Sequence, residues 1–369
     1  MHAGRERHDM KTAGSQPTAP FRIAVAGAGA IGRVHIDLIE ADRRCCLAAI
    51  ADPSSAAAAK AAQLGVPHFG DLERMLEVAE PHGVIIATPN ASHVDNALLC
   101  IARGIPVLVE KPVSDTREQA ERLAQATATS GVPVLVGHHR RHNPIIQSAR
   151  DIVASGTLGR LVAVTGMCLL YKPQSYFEAA WHREVGAGPI LINLIHDIDN
   201  LRFICGEIES VRAVKSSAVR VFAVEDSAAL LLRFANGAIA TLIGSDTTPA
   251  PWSWEMNAGE NPAYPRQNLD CYRFAGTEGS LSLPDLSIWR YAGERDWMKP
   301  MLRHSVPVDH TNPLIRQLEH FCDIIAGRAE PLVTPSDAAR TLGVAIAAHR
   351  AAETGYGQSC PTTSREDPQ

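Results

Sequence analysis

The chain has 369 residues, and at about 150 residues per domain that length predicts two domains. Hydrophobic residues make up 46% and charged residues 20%, an ordinary globular balance with enough apolar material for sizeable cores. A net charge of −5 gives no electrostatic reason for a nucleic-acid or anionic-membrane partner, and there is no run of about 18 apolar residues to span a bilayer.

Residues 1–20 are polar, lack the apolar stretch of a secretory signal, and are expected to be a flexible tail. Eight cysteines (45, 46, 100, 168, 205, 271, 322 and 360) lie scattered through apolar segments with no C-x-x-C pair. That distribution points to reduced, buried thiols and a cytoplasmic setting rather than to disulfides or zinc.

From Phe21 onward, short apolar runs alternate with helical patterns. Strands are predicted at Phe21–Ala26, Leu47–Ala51, Val84–Ala87, Val107–Val109 and Val134–Val136, and helices at Ala30–Asp42, Ser55–Leu64, His93–Arg103 and Arg117–Ser130. Continuously apolar strands separated by helices indicate a parallel sheet covered on both faces. The character changes near Arg141–Pro144. Longer strands follow at Leu161–Leu170, Val211–Val219, Ser227–Phe234 and Ala238–Ser245, the last two joined by an Asn236-Gly237 hairpin signal in which both positions are expected at positive φ. Residues 246–266 read as a long functional loop. Helices at Pro313–Ala326 and Pro335–Thr354 close the chain. The fold class is therefore α/β: an N-terminal Rossmann domain with a doubly wound parallel sheet, then an α+β domain with a large, mostly antiparallel open sheet. The expected division is tail 1–20, NAD-binding domain 21–142, substrate-binding and oligomerisation domain 143–355, and polar tail 356–369.

Gly27-Ala28-Gly29-Ala30-Ile31-Gly32 matches G-x-G-x-x-G between the first strand and first helix, the context this motif requires. Gly27 permits the turn, Gly29 lets backbone approach a pyrophosphate, and Gly32 allows close helix–strand packing; the N–H groups of Ala30, Ile31 and Gly32 then face the anion. Asp52 ends the next strand, 20 residues on, where a carboxylate binds ribose hydroxyls and repels a 2′-phosphate. NAD is favoured over NADP. The same Asp also fits a cap for the following helix.

Thr88-Pro89-Asn90-Ala91-Ser92-His93 after the VIIA strand, Glu110-Lys111-Pro112 after the VLV strand, and a late His196-x-x-Asp199 complete a set. With the glycine turn, these motifs resemble the family of glucose–fructose oxidoreductase and inositol dehydrogenase, the Gfo/Idh/MocA family, over about residues 21–355. The resemblance implies that Thr88, Asn90, His93 and Glu110 line the cofactor, that Lys111 reaches the active site before a cis proline, and that His196 is the catalytic histidine. It also implies a small-molecule substrate and a homodimer or homotetramer paired through the outer face of the second sheet.

The chemistry agrees with those roles. An ammonium such as Lys111 stabilises a developing alkoxide, and an imidazole such as His196 accepts a proton near neutrality. Many family members carry Asp four residues before this histidine; here Ile192 stands there, with Asn193 next. Asn193 is then a substrate contact, and His196 is oriented by Asp199 or Asp197, or else the Lys111 amine takes the proton. Arg140 in the His138–His142 segment, and Tyr171 and Trp181 in the connection before Gly186, are further substrate-contact candidates, set against plain structural roles. No metal is expected, because the lysine supplies the positive charge. The expected reaction is NAD-dependent oxidation of a secondary ring alcohol in a sugar, cyclitol or related polyol. The alternatives are oxidation of an aromatic cis-dihydrodiol, or a non-catalytic NAD-binding regulatory protein.

Overall fold

The computed structural model describes residues 19–360; residues 1–18 of the expected tail 1–20, and residues 361–369, lie outside them. Short, mostly apolar runs form β1 (Phe21–Ala26), β2 (Cys45–Ala51), β4 (Gly83–Ile86), β5 (Val107–Val109) and β6 (Val134–Val136), joined by the two-residue β3 (His68–Phe69), all parallel, in the order β3-β2-β1-β4-β5-β6. The order reverses between β1 and β4, which opens a ligand crevice at their carboxyl ends. Helices α1 (Ala30–Ala41), α2 (Ser55–Leu64), α3 (Leu72–Ala79), α4 (His93–Ile101) and α5 (Arg117–Ser130) alternate with these strands. The short β3 and α3 are absent from the sequence expectation: two residues carry no readable alternation, and α3 is only two turns long.

Side chains cap α2 (Ser54), α3 (Asp71) and α5 (Thr116), each accepting a first-turn N–H. In α1 the cap is Gly29, with no side-chain acceptor and no acidic residue in the first turn. Its leading N–H groups are left for something else.

The second unit comprises α6 (Pro144–Ala154), β7 (Leu161–Leu169), α7 (Ile195–Cys205), β8 (Ile208–Ser216), β9 (Ser227–Phe234), β10 (Ile239–Ser245), the short α8 (Trp254–Asn257), β11 (Tyr272–Gly276), β12 (Ser280–Leu283), β13 (Ser287–Arg290), β14 (Leu302–Ser305), α9 (Pro313–Ile325), α10 (Pro335–Thr354) and β15 (Gln358–Ser359). Nine strands form one sheet, β14-β13-β12-β11-β7-β10-β9-β8-β15, antiparallel apart from the β7–β10 pair. The Asn236-Gly237 hairpin forms, but only Gly237 takes positive φ (89°), while Asn236 Oδ1 accepts from Ala238 N–H. The turn is therefore of the longer, bulged kind rather than the two-residue mirror-image type.

Two corrections to the expected division follow from packing. Leu318, Phe321, Cys322, Ile324, Val333, Ala338 and Leu342 belong to the core of the first sheet, while Val344, Ala345 and Ala348 belong to that of the second. Thus α9 returns to the Rossmann unit and α10 bridges both cores. The polar tail from 356 begins with β15, which pairs with β8, and Cys360 is buried.

Candidate active site at the crevice between the two units

Gly27 has φ of 90°, and a Cβ there would lie 2.4 Å from the Ala87 carbonyl oxygen at the end of β4. A Cβ on Gly32 would fall 2.0 Å from the Gly27 oxygen. Gly29 instead faces open space, with nothing within 4 Å. Tight turn, close packing and an open cradle beside the uncapped N-terminus of α1 fit a dinucleotide pyrophosphate. Asp52 sits alongside. Its Oδ2 accepts from Ala28 N–H (2.8 Å) and its Oδ1 from Ser54 N–H (2.8 Å). Burial works against its ionised form, but these backbone donors outweigh it and hold the carboxyl below the usual range. Ser54, not Asp52, caps α2.

Thr88 follows the Ala87 contact, its hydroxyl accepting from Ser92 (3.0 Å) and Asn96 (3.1 Å), with Asn90 exposed at the rim. His93 is placed differently from the expectation. It is 1% exposed, with Nδ1 2.9 Å from the Pro112 carbonyl and Nε2 2.8 Å from that of Thr88. Both ring nitrogens face backbone carbonyls, to one of which the neutral ring donates, so the ring lies between the two crevice loops instead of meeting a ligand.

Glu110 is also withdrawn: its Oε1 lies 2.7 Å from buried His35, and Oε2 accepts from Lys111 N–H. Burial opposes ionisation, yet His35, Lys111 and His139 hold its carboxyl at about 2. The anionic Glu110 backs Lys111, whose peptide to Pro112 is cis. From the first unit, Lys111 Nζ reaches the carbonyl of Ile192 in the second, at 3.4 Å. Ile192 lies in a π-turn, Ile190–Leu194, that leads into α7 four residues before His196, a backbone irregularity often found at functional sites. Burial lowers the Lys111 ammonium below its ordinary range, opposed by Glu110 and reinforced by Arg140.

His196 is 8% exposed. Its Nδ1 is buried without a partner, and no described side chain occupies Nε2. Burial, then Lys111 and Arg140, hold its pKa far below the usual value, so the ring is neutral. Neither aspartate orients it. Asp199 is taken by Arg141 (2.6 and 2.8 Å) and Thr341 (2.9 Å), and Asp197 by the Tyr272 hydroxyl. His138 and His139 instead pack edge-on against His196, at 6.4 and 5.2 Å between centroids.

These motifs carry a match. One family model, an oxidoreductase family with an NAD-binding Rossmann fold, covers residues 21–138, and the C-terminal domain model of the same family covers 146–282. The chain belongs to the Gfo/Idh/MocA family. It is an NAD-binding oxidoreductase. The rhizopine catabolism protein MocA of Rhizobium meliloti is 29% identical over 89% of this chain and 94% of its own length. The scyllo-inositol 2-dehydrogenase (NAD(+)) of Bacillus subtilis is 26% identical over 89% and 92%. In fold, the WlbA dehydrogenase of Bordetella pertussis, solved with NADH and UDP-GlcNAcA, superposes with a TM-score of 0.76 at 24% identity, over 93% of this chain and 99% of that one.

Of the three further substrate-contact candidates in this Gfo/Idh/MocA chain, Arg140 takes its structural alternative. Arg140 is 3% exposed and surrounded by carboxylates: Glu255 at 2.6 Å, Glu260 at 3.5 Å and Asp197 at 3.9 Å. It is a buried counter-charge behind the site, not a surface offered to a ligand. Tyr171 is 57% exposed, bridges to Thr247, and alternates away from its buried neighbour Lys172. Trp181 is 55% exposed and leans on His182, which stacks on Tyr176 at 3.9 Å. Tyr176 in turn packs against Lys172, its ring centre 4.7 Å from Nζ.

Asn193 is half-buried, and its Oδ1 accepts from Lys172 Nζ at 2.8 Å. Lys172 carries no expectation from the sequence. Nothing in Tyr171-Lys172-Pro173 announces that its amine crosses to position 193. Glu255 and Glu260 do come from the loop singled out as functional, although their partner, Arg140, was unforeseen.

Proposed function

We propose that the chain oxidises a secondary ring alcohol of a sugar, cyclitol or related polyol. NAD supplies the hydride acceptor. The N–H groups of Ala30, Ile31 and Gly32 beside Gly27 and Gly29 would hold its pyrophosphate, Asp52 would hold its ribose, and Thr88 and Asn90 would border it. Lys111 binds the substrate hydroxyl and stabilises the negative charge that develops as its proton leaves. Neutral His196, with Nε2 free, accepts that proton. Asn193 contacts a neighbouring ring substituent.

The carrying observation is the reach of Lys111 across the crevice to the turn that presents His196. The scyllo-inositol 2-dehydrogenase relative supports the substrate class. Lys111→Met is expected to lower kcat by about 10²–10⁴, the range for lost oxyanion or acid–base help, while NAD binding, read by calorimetry, persists. Undiminished turnover removes Lys111 from the chemistry.

The described part of the chain has no helix long and apolar enough to cross a membrane. All eight cysteines are free, which supports a reducing, cytoplasmic setting. A homodimer or homotetramer through the outer face of the second sheet is supported by an apolar row across it. Val214, Ala229, Ile243 and Met167 are register neighbours on β8, β9, β10 and β7, with exposed Leu231 and Ile239 beside them.

A further inference from the structure

Two ammonium groups clasp one turn of the second unit. Lys111 Nζ faces the Ile192 carbonyl, and one residue on, Lys172 Nζ donates to the Asn193 side chain. An ammonium has three donors and no acceptor. The Asn193 oxygen must therefore be the atom that faces Lys172, which fixes the amide orientation, and Nδ2 is left without a partner among the described residues. Lys172 itself is held in place. It is 7% exposed, lies 3.6 Å from Asp246 Oδ2 and packs over the Tyr176 ring, while Asp246 is shared with Arg220 at 3.0 Å. One carboxylate thus serves two cations. The nearby acids offer the ligand little: Glu255 Oε1 is taken by Arg140 and its Oε2 is buried, and Glu110 is sequestered by His35.

The polar side chains fixed around the reacting position, Lys111, Asn193 and Lys172, thus present donors and net positive charge. A neutral polyol can accept from such a wall, but beyond the reacting hydroxyl, whose proton His196 takes, its other hydroxyl protons find no acceptor among these three side chains. A carboxylate accepts only, carries the opposite charge and makes the stronger, charge-assisted hydrogen bonds. We infer that Lys172 and Asn193 form a carboxylate-recognition element, and that the preferred substrate is a ring alcohol bearing a carboxylate near the carbinol carbon. This rests on the oxidation proposed above and narrows its substrate class. Asn193 makes the contact; Lys172 positions and polarises its amide.

The test compares uronic acids with their neutral parents, D-glucuronate with D-glucose and D-galacturonate with D-galactose, by NADH absorbance with the full-length enzyme. The expected result is a kcat/KM ratio of at least about tenfold in favour of the acid, equivalent to about 1.4 kcal/mol. In Lys172→Met and Asn193→Leu that ratio is expected to fall by about 10- to 100-fold, and Lys172→Arg to restore part of it; a merely structural lysine would lower both substrates together. Calorimetric binding of glucuronate to the wild-type enzyme–NADH complex gives a readout independent of the variants' folding. Equal turnover of acid and neutral parent, or a ratio untouched by Lys172→Met, overturns the carboxylate preference and leaves the oxidation standing. No reduction of NAD by any sugar, acid or inositol, with NAD still bound, sinks the oxidation and this inference with it.

Discussion

Asp52 is fixed by two backbone donors, one from the glycine turn itself, so its carboxylate has a set position when a dinucleotide arrives. A charged hydrogen bond contributes about 1.5–3 kcal/mol, roughly 10- to 100-fold in affinity. Asp52→Ala is therefore expected to weaken NAD by that factor while NADP, which the carboxylate repels, changes less. Fluorescence titration with both cofactors measures the ratio, and a constant ratio means that Asp52 does not read the ribose. At this scale, residues whose role lies in their own motif were legible: Gly27, Gly29 and Gly32 need no partner beyond their turn. Residues whose role depends on distant atoms were not. His93 lies between two carbonyls and Arg140 among three carboxylates, and neither environment is encoded near them. Lys172 was hidden for the same reason.

Among elements, long periodic segments read well: β9 and α10 have the expected bounds, and β1 agrees to the residue. Strands β11–β14 went unread because they are four or five residues long and their partners, not their alternation, make them strands. The return of α9 to the first core was likewise invisible, since an amphipathic stripe does not say which sheet it covers. The joint between units depends on Arg141, which reaches both Asp199 on α7 and Asp337 on α10. Arg202 meets Asp337 from the same helix as Asp199. Removing one member of a buried ion network leaves the others uncompensated, at about 3–5 kcal/mol. Arg141→Met is expected to lower stability by that amount in chemical denaturation. Adding Asp199→Asn should recover part of the loss, because the stranded charge is then gone. Simple additivity of the two losses would mean that the pair is not coupled.

For the whole molecule, the buried histidines set the response to acid. Burial is the largest cause lowering His93, His138, His142 and His196, with His138 at about 4 and His142 at about 3. An unfolded histidine titrates near 6.5. Below that value the unfolded chain binds protons that the folded chain refuses, so stability falls as the pH drops. Asp197 works the other way. Burial pushes it up to about 7, so the folded chain keeps a proton that the unfolded chain releases above about 4, and acid favours folding through this one group. At about pH 5, each histidine that stays neutral when folded contributes a loss of about 2 kcal/mol, and Asp197 offsets roughly one of them. His138, His142 and His196 together outweigh it, for a net loss of roughly 3 kcal/mol between pH 7 and pH 5. Thermal unfolding at the two pH values checks the sign. His142 is the useful probe, because its Nε2 faces His320 of α9 (2.9 Å) and it makes no hydrogen bond to Lys111 or His196. His142→Gln should flatten the dependence by about 2 kcal/mol without touching the residues that hold the substrate. Greater stability at pH 5 than at pH 7 would mean that the buried imidazoles do not outweigh Asp197, against the sign expected here.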